Sequence, residues 1–244
     1  METFADKRQR MVEEQIAARG VVDRTVLDAM LAVPRQMFVP PSAAEFAYED
    51  TPLPIEEGQT ISRPYVVALM ADALKLTRRD RVLEIGAGSG YAAAVLSRIA
   101  AEVYAIERHA ALAELASGRM KDLGFDNVHV VHGDGTLGWP EHAPYDAILV
   151  SAGGPSVPDA LRAQLAIGGR LVIPVGATPR AQELVRVTRL GQNEYRQEDL
   201  GAVQFVPLIG EQGWIVHARG PDTASAALPQ EQTSPAGLAP WQLP

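Results

Sequence analysis

Residues 82–91 have the sequence Val82-Leu83-Glu84-Ile85-Gly86-Ala87-Gly88-Ser89-Gly90-Tyr91, and an alanine-rich segment follows them. The apolar run is short enough for a buried strand, and alanine favours a helix after it. Glycines at alternate positions let the backbone turn sharply and approach a ligand without interference from Cβ atoms. A glycine-rich turn between a strand and a helix is where open α/β sheets bind nucleotides. The stretch therefore predicts an α/β fold with a nucleotide-type site at the end of its first strand.

Short runs rich in β-branched residues recur along the rest of the chain. Up to the fourth run, the intervals between them have room for crossover helices, most clearly 110–123, and this alternation predicts a parallel sheet covered on both faces. After Gly168-Gly169 the runs follow one another without an obvious helix, which favours antiparallel strands. We therefore predict a Rossmann-like, doubly wound, mostly parallel sheet with antiparallel edge strands. The predicted strands are 81–85, 102–106, 127–131, 147–150, 170–174, 183–189 and 195–206.

An N-terminal helical extension precedes this sheet. We predict a surface helix over 7–19 that ends at Gly20, and a second helix from the N-cap Asp23 to just before Pro34. Residues 38–60 are rich in proline, glutamate and glycine and are predicted to be irregular. A third helix is expected to begin at Pro64, because proline suits a first helical turn.

Acidic residues lie at three successive strand ends. Glu84 stands two residues before the first glycine of a Gly-x-Gly-x-Gly pattern, where it would repel a pyrophosphate but suit the sulfonium and ammonium groups of S-adenosylmethionine. Glu107 follows Gly86 by 21 residues, the position from which a carboxylate can bind both ribose hydroxyls. Asp134 and Gly135 follow the third strand, where a carboxylate can reach an adenine amino group. Each feature alone could be an ordinary turn or cap, but the three together favour a cofactor site.

Composition excludes several classes of function. The formal net charge is −8, with 30 acidic and 22 basic residues, and without a basic block this argues against nucleic-acid binding. Cysteine is absent, which excludes disulfides, thiolate catalysis and cysteine-bound zinc. The five histidines are too scattered to indicate a metal site. We find neither a run of eighteen apolar residues nor a secretory signal, so we expect a cytoplasmic, monomeric protein without membrane partners.

Several further motifs resemble the protein-L-isoaspartate O-methyltransferase family, a group of class I S-adenosylmethionine-dependent methyltransferases. They are Pro52-Leu53-Pro54-Ile55, Gly58-Gln59-Thr60-Ile61-Ser62, Pro64-Tyr65, Gly133-Asp134-Gly135, Gly138-Trp139-Pro140, Tyr145-Asp146-Ala147-Ile148, the segment 168–176 and Phe205-Val206-Pro207-Leu208. The resemblance covers roughly residues 11–214, and the loop 59–62 makes it specific. The chain departs from the family pattern at Glu56, where glycine is usual, at Arg63, where glutamine is frequent, and at Ser151-Ala152-Gly153-Gly154.

The resemblance implies that the chain methylates the side-chain carboxyl of isoaspartyl residues in damaged proteins and releases S-adenosylhomocysteine. The carboxyl is ionised at neutral pH, so neither a general base nor a metal is expected. Ser62 and Thr60 would lie beside the transferred methyl, with Ser62 orienting the carboxylate, and Val206, Pro207 and Leu208 would lie near the peptide. The implied cofactor-binding residues are Gln59, Ile61, Glu84, Gly86, Ala87, Gly88, Ser89, Gly90, Glu107, Arg108, Asp134 and Gly135.

The resemblance also implies one methyltransferase domain over 1–219. Residues 1–62 would form the N-terminal helices and active-site loop, and 63–219 the Rossmann-like core. Residues 220–244, mostly Pro, Ala, Ser, Gln and Gly, are expected to be a disordered tail.

The residues leave two alternative functions open. The enzyme could act on a carboxyl of a dedicated peptide, or the chain could be a non-catalytic relative that only binds the cofactor. The sequence does not support a nucleic-acid methyltransferase, because Ser151-Ala152-Gly153-Gly154 occupies the place of the Asn/Asp-Pro-Pro-Tyr-like motif that such an enzyme would need. Ser62 itself could serve only as a turn or helix N-cap hydroxyl before Pro64.

Overall fold

A computed structural model describes residues 2–215 of the chain, and the tail predicted at 220–244 lies outside them. Two short strands, β1 (Leu53–Pro54) and β2 (Thr60–Ile61), pair antiparallel in the N-terminal region. The other seven strands form one sheet. They are β3 (Arg81–Ile85), β4 (Glu102–Glu107), β5 (Val128–His132), β6 (Tyr145–Val150), β7 (Leu165–Thr178), β8 (Ala181–Arg189) and β9 (Tyr195–Val203).

The strand order in the sheet is β5-β4-β3-β6-β7-β8-β9. Strands β3 to β7 are mutually parallel, whereas β8 and β9 add antiparallel at one edge. The prediction of a mostly parallel sheet with antiparallel edge strands is therefore confirmed. The chain moves outward from β3 to β5 and then returns to β6 on the other side of β3. In open α/β sheets such a reversal of order opens a crevice at the carboxyl ends of the strands, where ligands bind.

Alternate side chains of the central strands enter two separate apolar clusters. Val82 and Leu149 belong to one cluster, and Leu83 and Ile148 belong to the other. Since successive residues of a strand point to opposite faces, the sheet is covered on both sides, as doubly wound folds require. The helices are α1 (Phe4–Arg10), α2 (Arg24–Ala32), α3 (Pro64–Leu74), α4 (Tyr91–Ser97), α5 (Ala110–Asp122) and α6 (Asp159–Ala163).

The N-terminal extension differs from its prediction in one respect. Beyond α1 the chain continues as a π-helical turn, Met11–Ile16, and a 3₁₀ turn that ends at Gly20 in the left-handed conformation. Met11 and Ile16 are fully buried in the first apolar cluster, whereas Glu13 and Glu14 are exposed, so the segment lies at the surface and ends at Gly20 as predicted, with one apolar face buried. Its apolar residues are needed as a cover for the sheet face that carries α3.

The other helix and strand boundaries either agree with those predicted from the sequence or differ from them for a physical reason. Asp23 caps α2 by accepting the Thr25 N–H at 2.9 Å, and α3 begins at Pro64, as predicted. The region 38–60 is not wholly irregular, because it contains the β1–β2 hairpin. Strand β7 begins at Leu165 and continues through the glycine pair, five residues earlier than predicted, since it pairs with β6 from Tyr145 onward. None of the helices within residues 2–215 has the length and apolarity needed to cross a membrane.

Candidate active site

Three adjoining cavities open at the carboxyl ends of β3, β4 and β6. The first cavity is lined by residues that include Gln59, Gly86, Gly88, Glu107, Arg108, Gly135 and Leu208. The second cavity is lined by residues that include Ile61, Ser62, Glu84, Ala87, Ser89 and Tyr91. The third, which we call the groove, is lined by residues that include Ser62, Arg63, Tyr65, Phe205, Val206 and Pro207. Thr60 and Ser151 line all three, so the cavities meet at these two residues.

The glycine loop joins β3 to α4 and separates the first two cavities. Gly86, Gly88 and Gly90 all have positive φ angles, of 84°, 53° and 87°, a conformation that side chains with a Cβ rarely adopt. At Gly90 a Cβ would also stand 2.6 Å from the Met120 methyl group. The Gly86 N–H donates to the Ile106 carbonyl at 2.8 Å, which ties the loop to the end of β4. The predicted use of these glycines as a close-approach loop therefore agrees with their backbone geometry.

Glu107 ends β4 and faces the first cavity with its carboxylate held from two sides. Its Oε2 accepts the Gly88 N–H at 2.9 Å, and its Oε1 accepts the His109 N–H at 2.9 Å. Parallel pairing of β3 with β4 brings these groups together. Each carboxylate oxygen can accept a further hydrogen bond, so Glu107 can receive two hydroxyl donors from a ligand in this cavity.

Asp134, predicted as an adenine ligand, is held by three hydrogen bonds within the protein. Its Oδ1 accepts the Thr136 N–H at 2.9 Å and the Thr136 hydroxyl at 2.7 Å, and its Oδ2 accepts the Glu211 N–H at 2.7 Å. The carboxylate thus caps a 3₁₀ turn and fastens the segment after β9. Gly135, rather than Asp134, is among the residues that line the first cavity.

Glu84 is a buried carboxyl beside the second cavity. It is only 1% exposed; its Oε1 is 3.4 Å from the Ser151 hydroxyl, and its Oε2 has no hydrogen-bond partner among the described residues. Burial raises the pKa of Glu84 to about 8, and the nearby Glu107 adds to the increase, whereas the Ser151 hydroxyl opposes it. A buried carboxyl without a cation is costly, so this site favours a ligand that carries a positive charge.

Thr60 lies at the junction of the cavities on a strap, residues 53–61, formed by β1, a tight turn and β2, and Ser62 follows the strap directly. The Ile55 N–H donates to the Gln59 carbonyl at 2.9 Å and closes the turn. Thr60 is exposed and Ser62 is half-buried. The N-cap residue of α3 is Arg63 and it makes no side-chain cap hydrogen bond, so Ser62 is not the N-cap of this helix.

The segment that follows β9 forms the opposite wall. The Gly153 N–H donates to the Val206 carbonyl at 2.8 Å, and the Leu208 N–H donates to the Gly153 carbonyl at 2.8 Å. Val206 and Pro207 line both the first cavity and the groove, and Leu208 lines the first cavity. Of the three residues predicted to lie near the substrate, Val206 and Pro207 are thus located where the first cavity meets the groove, and Leu208 is located beside the first cavity.

Sequence reasoning missed two residues of this region. Ser151 follows β6 and lines all three cavities. Arg35 lines none of them but donates to the Ser62 carbonyl from the buried side. Within residues 2–215, no group of three or more histidine or acidic side chains is arranged to hold a metal ion.

Comparison with known proteins identifies the family. A family model described as protein-L-isoaspartate(D-aspartate) O-methyltransferase (PCMT) matches residues 6–213. The chain belongs to the protein-L-isoaspartate O-methyltransferase family. Among its relatives, protein-L-isoaspartate O-methyltransferase 1 of Geotalea uraniireducens is 59% identical over 88% of this chain and 98% of the relative. The protein-L-isoaspartate O-methyltransferase of Rhodopseudomonas palustris strain CGA009 is 60% identical over 84% of this chain and 94% of its own.

Solved structures agree with this assignment. One named protein-L-isoaspartate O-methyltransferase is 32% identical, covers 84% of this chain and 67% of its own, and superposes with a TM-score of 0.76. A crystal structure from Plasmodium falciparum, described as a beta-aspartate methyltransferase (PCMT) in complex with S-adenosyl-L-homocysteine, is 27% identical over 83% of this chain and 98% of its own, with a TM-score of 0.71. The fold and the family assignment rest on independent comparisons.

The three departures from the family pattern have structural counterparts here. Glu56 Oε1 lies 3.6 Å from Arg119 Nη2, and Arg119 also donates to the Ser89 carbonyl at 3.2 Å, so the strap is tied to α5 and the glycine loop. Arg63 is exposed and lines the groove. At Gly153 a Cβ would collide with the side-chain amide of Gln182, which bonds Phe205 on both its N–H and carbonyl.

Proposed function

We propose that this protein is a repair enzyme that moves a methyl group from S-adenosylmethionine to the side-chain carboxyl of L-isoaspartyl residues in damaged proteins. Family membership and homologues of about 60% identity over most of the chain support the activity. The observation that carries the proposal is the junction of the cavities, because Ser62 lines both the second cavity and the groove. A methyl donor in the cavities and a peptide in the groove would meet at Ser62 and Thr60.

The residues of the first two cavities fit S-adenosylmethionine. The unpaired Glu84 carboxyl suits the cofactor's ammonium group, and the loop of Gly86, Ala87, Gly88, Ser89 and Gly90 leaves room for the methionine part. Glu107 would accept the two ribose hydroxyls, and Gly135 and Arg108 would border the base. Gln59 and Ile61 would cover the cofactor from the strap. Asp134 would bind the adenine amino group through Oδ2, which accepts one hydrogen bond from the Glu211 N–H and can accept a second.

The groove suits a polypeptide substrate. At about 620 Å³, against about 140 and 50 Å³ for the first and second cavities, it is the one of the three with room for several residues. Val206, Pro207 and Leu208 would border the bound peptide. Ser62, half-buried at the head of the groove, would donate a hydrogen bond from its hydroxyl to one carboxylate oxygen. This bond would turn the other oxygen toward the methyl group.

The reaction needs no general base, because the isoaspartyl carboxyl is already ionised at neutral pH. When bound, S-adenosylmethionine supplies an electrophilic methyl group: a carboxylate oxygen forms the new O–C bond, and the broken C–S bond leaves its electrons on sulfur. The protein contributes alignment and exclusion of water. The resulting ester loses methanol when the next backbone N–H closes a succinimide, and water opens this ring partly to normal aspartate.

The partners and domain organisation are part of the same proposal. We infer a single domain over 1–219, with the helices and active-site loop in 1–62, the core in 63–219 and a dispensable segment at 220–244; the family match at 6–213 supports these limits. A chain shortened after residue 219 should methylate as the full chain does. We also propose that the enzyme works in the cytoplasm as a monomer, without nucleic acid or membrane, and its net charge of −8 supports the exclusion of nucleic acid.

Paired peptides test the proposed reaction. The two peptides are identical except for isoaspartate or aspartate at one position, and labelled methyl is followed from S-adenosylmethionine. Base-labile label on the isoaspartyl peptide alone is the expected result. Equal or reversed preference would support a carboxyl methyltransferase for a dedicated peptide. Binding of S-adenosylhomocysteine without transfer to any carboxyl substrate would support the non-catalytic alternative.

A further inference from the structure

Arg35 is a buried arginine that joins three segments of the N-terminal region. It begins the 3₁₀ turn Arg35–Phe38 and is 0% exposed. Its Nε donates to the Ala47 carbonyl at 2.7 Å, and its Nη2 donates to the Ser62 carbonyl at 2.7 Å. Its guanidinium also lies 4.7 Å from the centre of the Tyr91 ring, at the beginning of α4. The side chain therefore connects the residue proposed to orient the substrate with the protein interior.

The charge on Arg35 makes no direct ion pair in the described part of the chain, and Asp50, which acts on it electrostatically, is paired with Arg19. Among residues 2–215, no carboxylate lies within ion-pair distance of it, and its buried Nη1 has no hydrogen-bond acceptor. Burial lowers the pKa of the guanidinium, but arginine stays protonated in proteins. A buried cation without an ion pair is unfavourable for folding. Stability therefore does not explain why Arg35 lies so close to Ser62.

The hydrogen bond to the Ser62 carbonyl restricts the active-site serine itself. A peptide group is planar, so an acceptor held at 2.7 Å fixes the plane between Ser62 and Arg63. That plane in turn restricts the direction of the Ser62 side chain. Arg35 lines none of the three cavities. It can therefore act on a bound substrate only through the two cavity-lining residues that it contacts, Ser62 and Tyr91, and through the field of its positive charge.

We propose that Arg35 is a positioning residue for methyl transfer: it holds the Ser62 backbone so that the serine hydroxyl meets the isoaspartyl carboxylate, and its buried positive charge favours that anion. The inference rests on the proposed role of Ser62. It assigns a function to a residue that touches neither cofactor nor peptide. It also gives the N-terminal extension a part in catalysis beyond covering the sheet.

Arg35→Lys tests the proposal, with Phe38→Leu as the matched control. Lysine keeps the charge but loses the planar fork that spans two carbonyls. Phe38 is fully buried in the same turn and packs edge-on against Tyr91 at 5.5 Å, so its truncation disturbs Tyr91 without touching Ser62. Measurements on each full-length variant are thermal unfolding, the dissociation constant for S-adenosylhomocysteine, and kcat and KM with the isoaspartyl peptide.

We expect Arg35→Lys to lower kcat/KM for the isoaspartyl peptide by about tenfold to a hundredfold, while its affinity for S-adenosylhomocysteine stays close to that of Phe38→Leu. In a Ser62→Ala background the same change should have little further effect, because both act through one hydroxyl. Equal kcat/KM in the Arg35→Lys and Phe38→Leu proteins, or full additivity with Ser62→Ala, would overturn the proposal. A wild-type enzyme that methylates neither peptide would instead overturn the proposed function.

A second measurement covers the case in which Arg35→Lys does not fold. In wild-type protein with labelled guanidino nitrogens and saturating S-adenosylhomocysteine, the isoaspartyl peptide should shift the NMR signal of the Arg35 Nε–H, and the aspartyl peptide should shift it less. A signal that moves with neither peptide, in protein that methylates the isoaspartyl one, would overturn the role of Arg35.

Discussion

Asp50 Oδ1 accepts the N–H of Tyr65 at 3.2 Å. Tyr65 lies in the first turn of helix α3, so a residue outside the helix supplies the acceptor for one of its unpaired backbone N–H groups. Asp50 also pairs with Arg19 at 2.5 Å, which holds the carboxylate in place. Backbone N–H groups at a helix start need such acceptors, and a serine just before the helix is the usual supplier. Here Asp50 supplies the acceptor instead of Ser62, and the Ser62 hydroxyl makes no hydrogen bond within residues 2–215. The Ser62 hydroxyl is therefore available to bind a substrate.

Replacing Ser62 separates catalysis from stability. Ser62→Ala should leave the unfolding free energy and the affinity for S-adenosylhomocysteine nearly unchanged but lower kcat by about tenfold or more, since a hydrogen bond to a charged group contributes about 1.5–3 kcal/mol. Asp50→Ala is the contrasting variant and should reduce the unfolding free energy by about 1 kcal/mol through loss of the cap. Urea unfolding and steady-state kinetics measure both. Unchanged turnover in Ser62→Ala would remove the serine from the mechanism.

The sequence located those site residues whose positions depend on local order. Glu107 is the last residue of β4, and parallel pairing with β3 puts the end of β4 next to the glycine loop whatever the details of packing. The strand–glycine–helix pattern therefore predicted both partners of the 2.9 Å bond between Glu107 and Gly88. Periodicity also predicted the antiparallel edge, because the absence of helices between the last strands leaves hairpins as the simplest connection.

Residues whose roles depend on tertiary packing could not be predicted. Arg35 and Ser62 are 27 positions apart, and an arginine in a sequence gives no sign of being fully buried. Asp134-Gly135-Thr136 forms a turn in which an aspartate binds the backbone two residues on, but the bond that Asp134 accepts from Glu211, 77 positions away, depends on packing. Ser151 gained its position only when β6 packed beside β3.

The pKa of Glu84 predicts how stability varies with pH. Burial raises this pKa from 4.5 to about 8, so the folded state binds the proton more tightly than the unfolded state does. The associated stabilisation is fully present below pH 4.5 and is lost as the pH rises toward 8, with a slope of at most about 1.4 kcal/mol per pH unit. Glu84→Gln should remove this part of the slope in urea unfolding. Glu114→Gln, at an exposed position on α5, is the control and should retain it.

The same variant tests the proposed ammonium contact. An ammonium group near Glu84 favours the ionised carboxylate, so S-adenosylhomocysteine should bind more tightly as the pH rises from about 6 to about 8 and should release protons on binding. Glu84→Gln should bind it at least about tenfold more weakly at pH 8, the loss expected for one charge-assisted hydrogen bond. Calorimetry in buffers of different ionisation enthalpy measures affinity and proton release together. Wild-type affinity in Glu84→Gln would place the ammonium group elsewhere.

Glu107→Gln should weaken binding of the nucleoside part of the cofactor. The amide has one acceptor oxygen where the carboxylate has two, so either the Gly88 or the His109 N–H, each now bonded at 2.9 Å, loses its partner. We expect the dissociation constant for S-adenosylhomocysteine to increase by about tenfold to a hundredfold and the unfolding free energy to decrease by about 1–3 kcal/mol. Adenosine, which lacks the methionine part, should lose affinity by the same factor. A loss for S-adenosylhomocysteine but not for adenosine would contradict the assignment of Glu107 to the ribose.

The strap over the cofactor site is fastened at its turn, and weakening that link should speed release of the product. Glu56 lies 3.6 Å from Arg119, and Glu57 lies 3.7 Å from His109, so two acidic residues of the turn face basic residues at α5. Glu56→Gln should raise the dissociation rate of S-adenosylhomocysteine by no more than about fivefold, because partly exposed ion pairs contribute about 0.2–1 kcal/mol. The difference from wild type should shrink in high salt, which screens exposed charges. Stopped-flow displacement at low and high ionic strength measures it, with Glu114→Gln as the control for loss of a charge on this side of the molecule. An equal dissociation rate in Glu56→Gln and wild type at low salt would mean that the strap is held by the β1–β2 pairing alone.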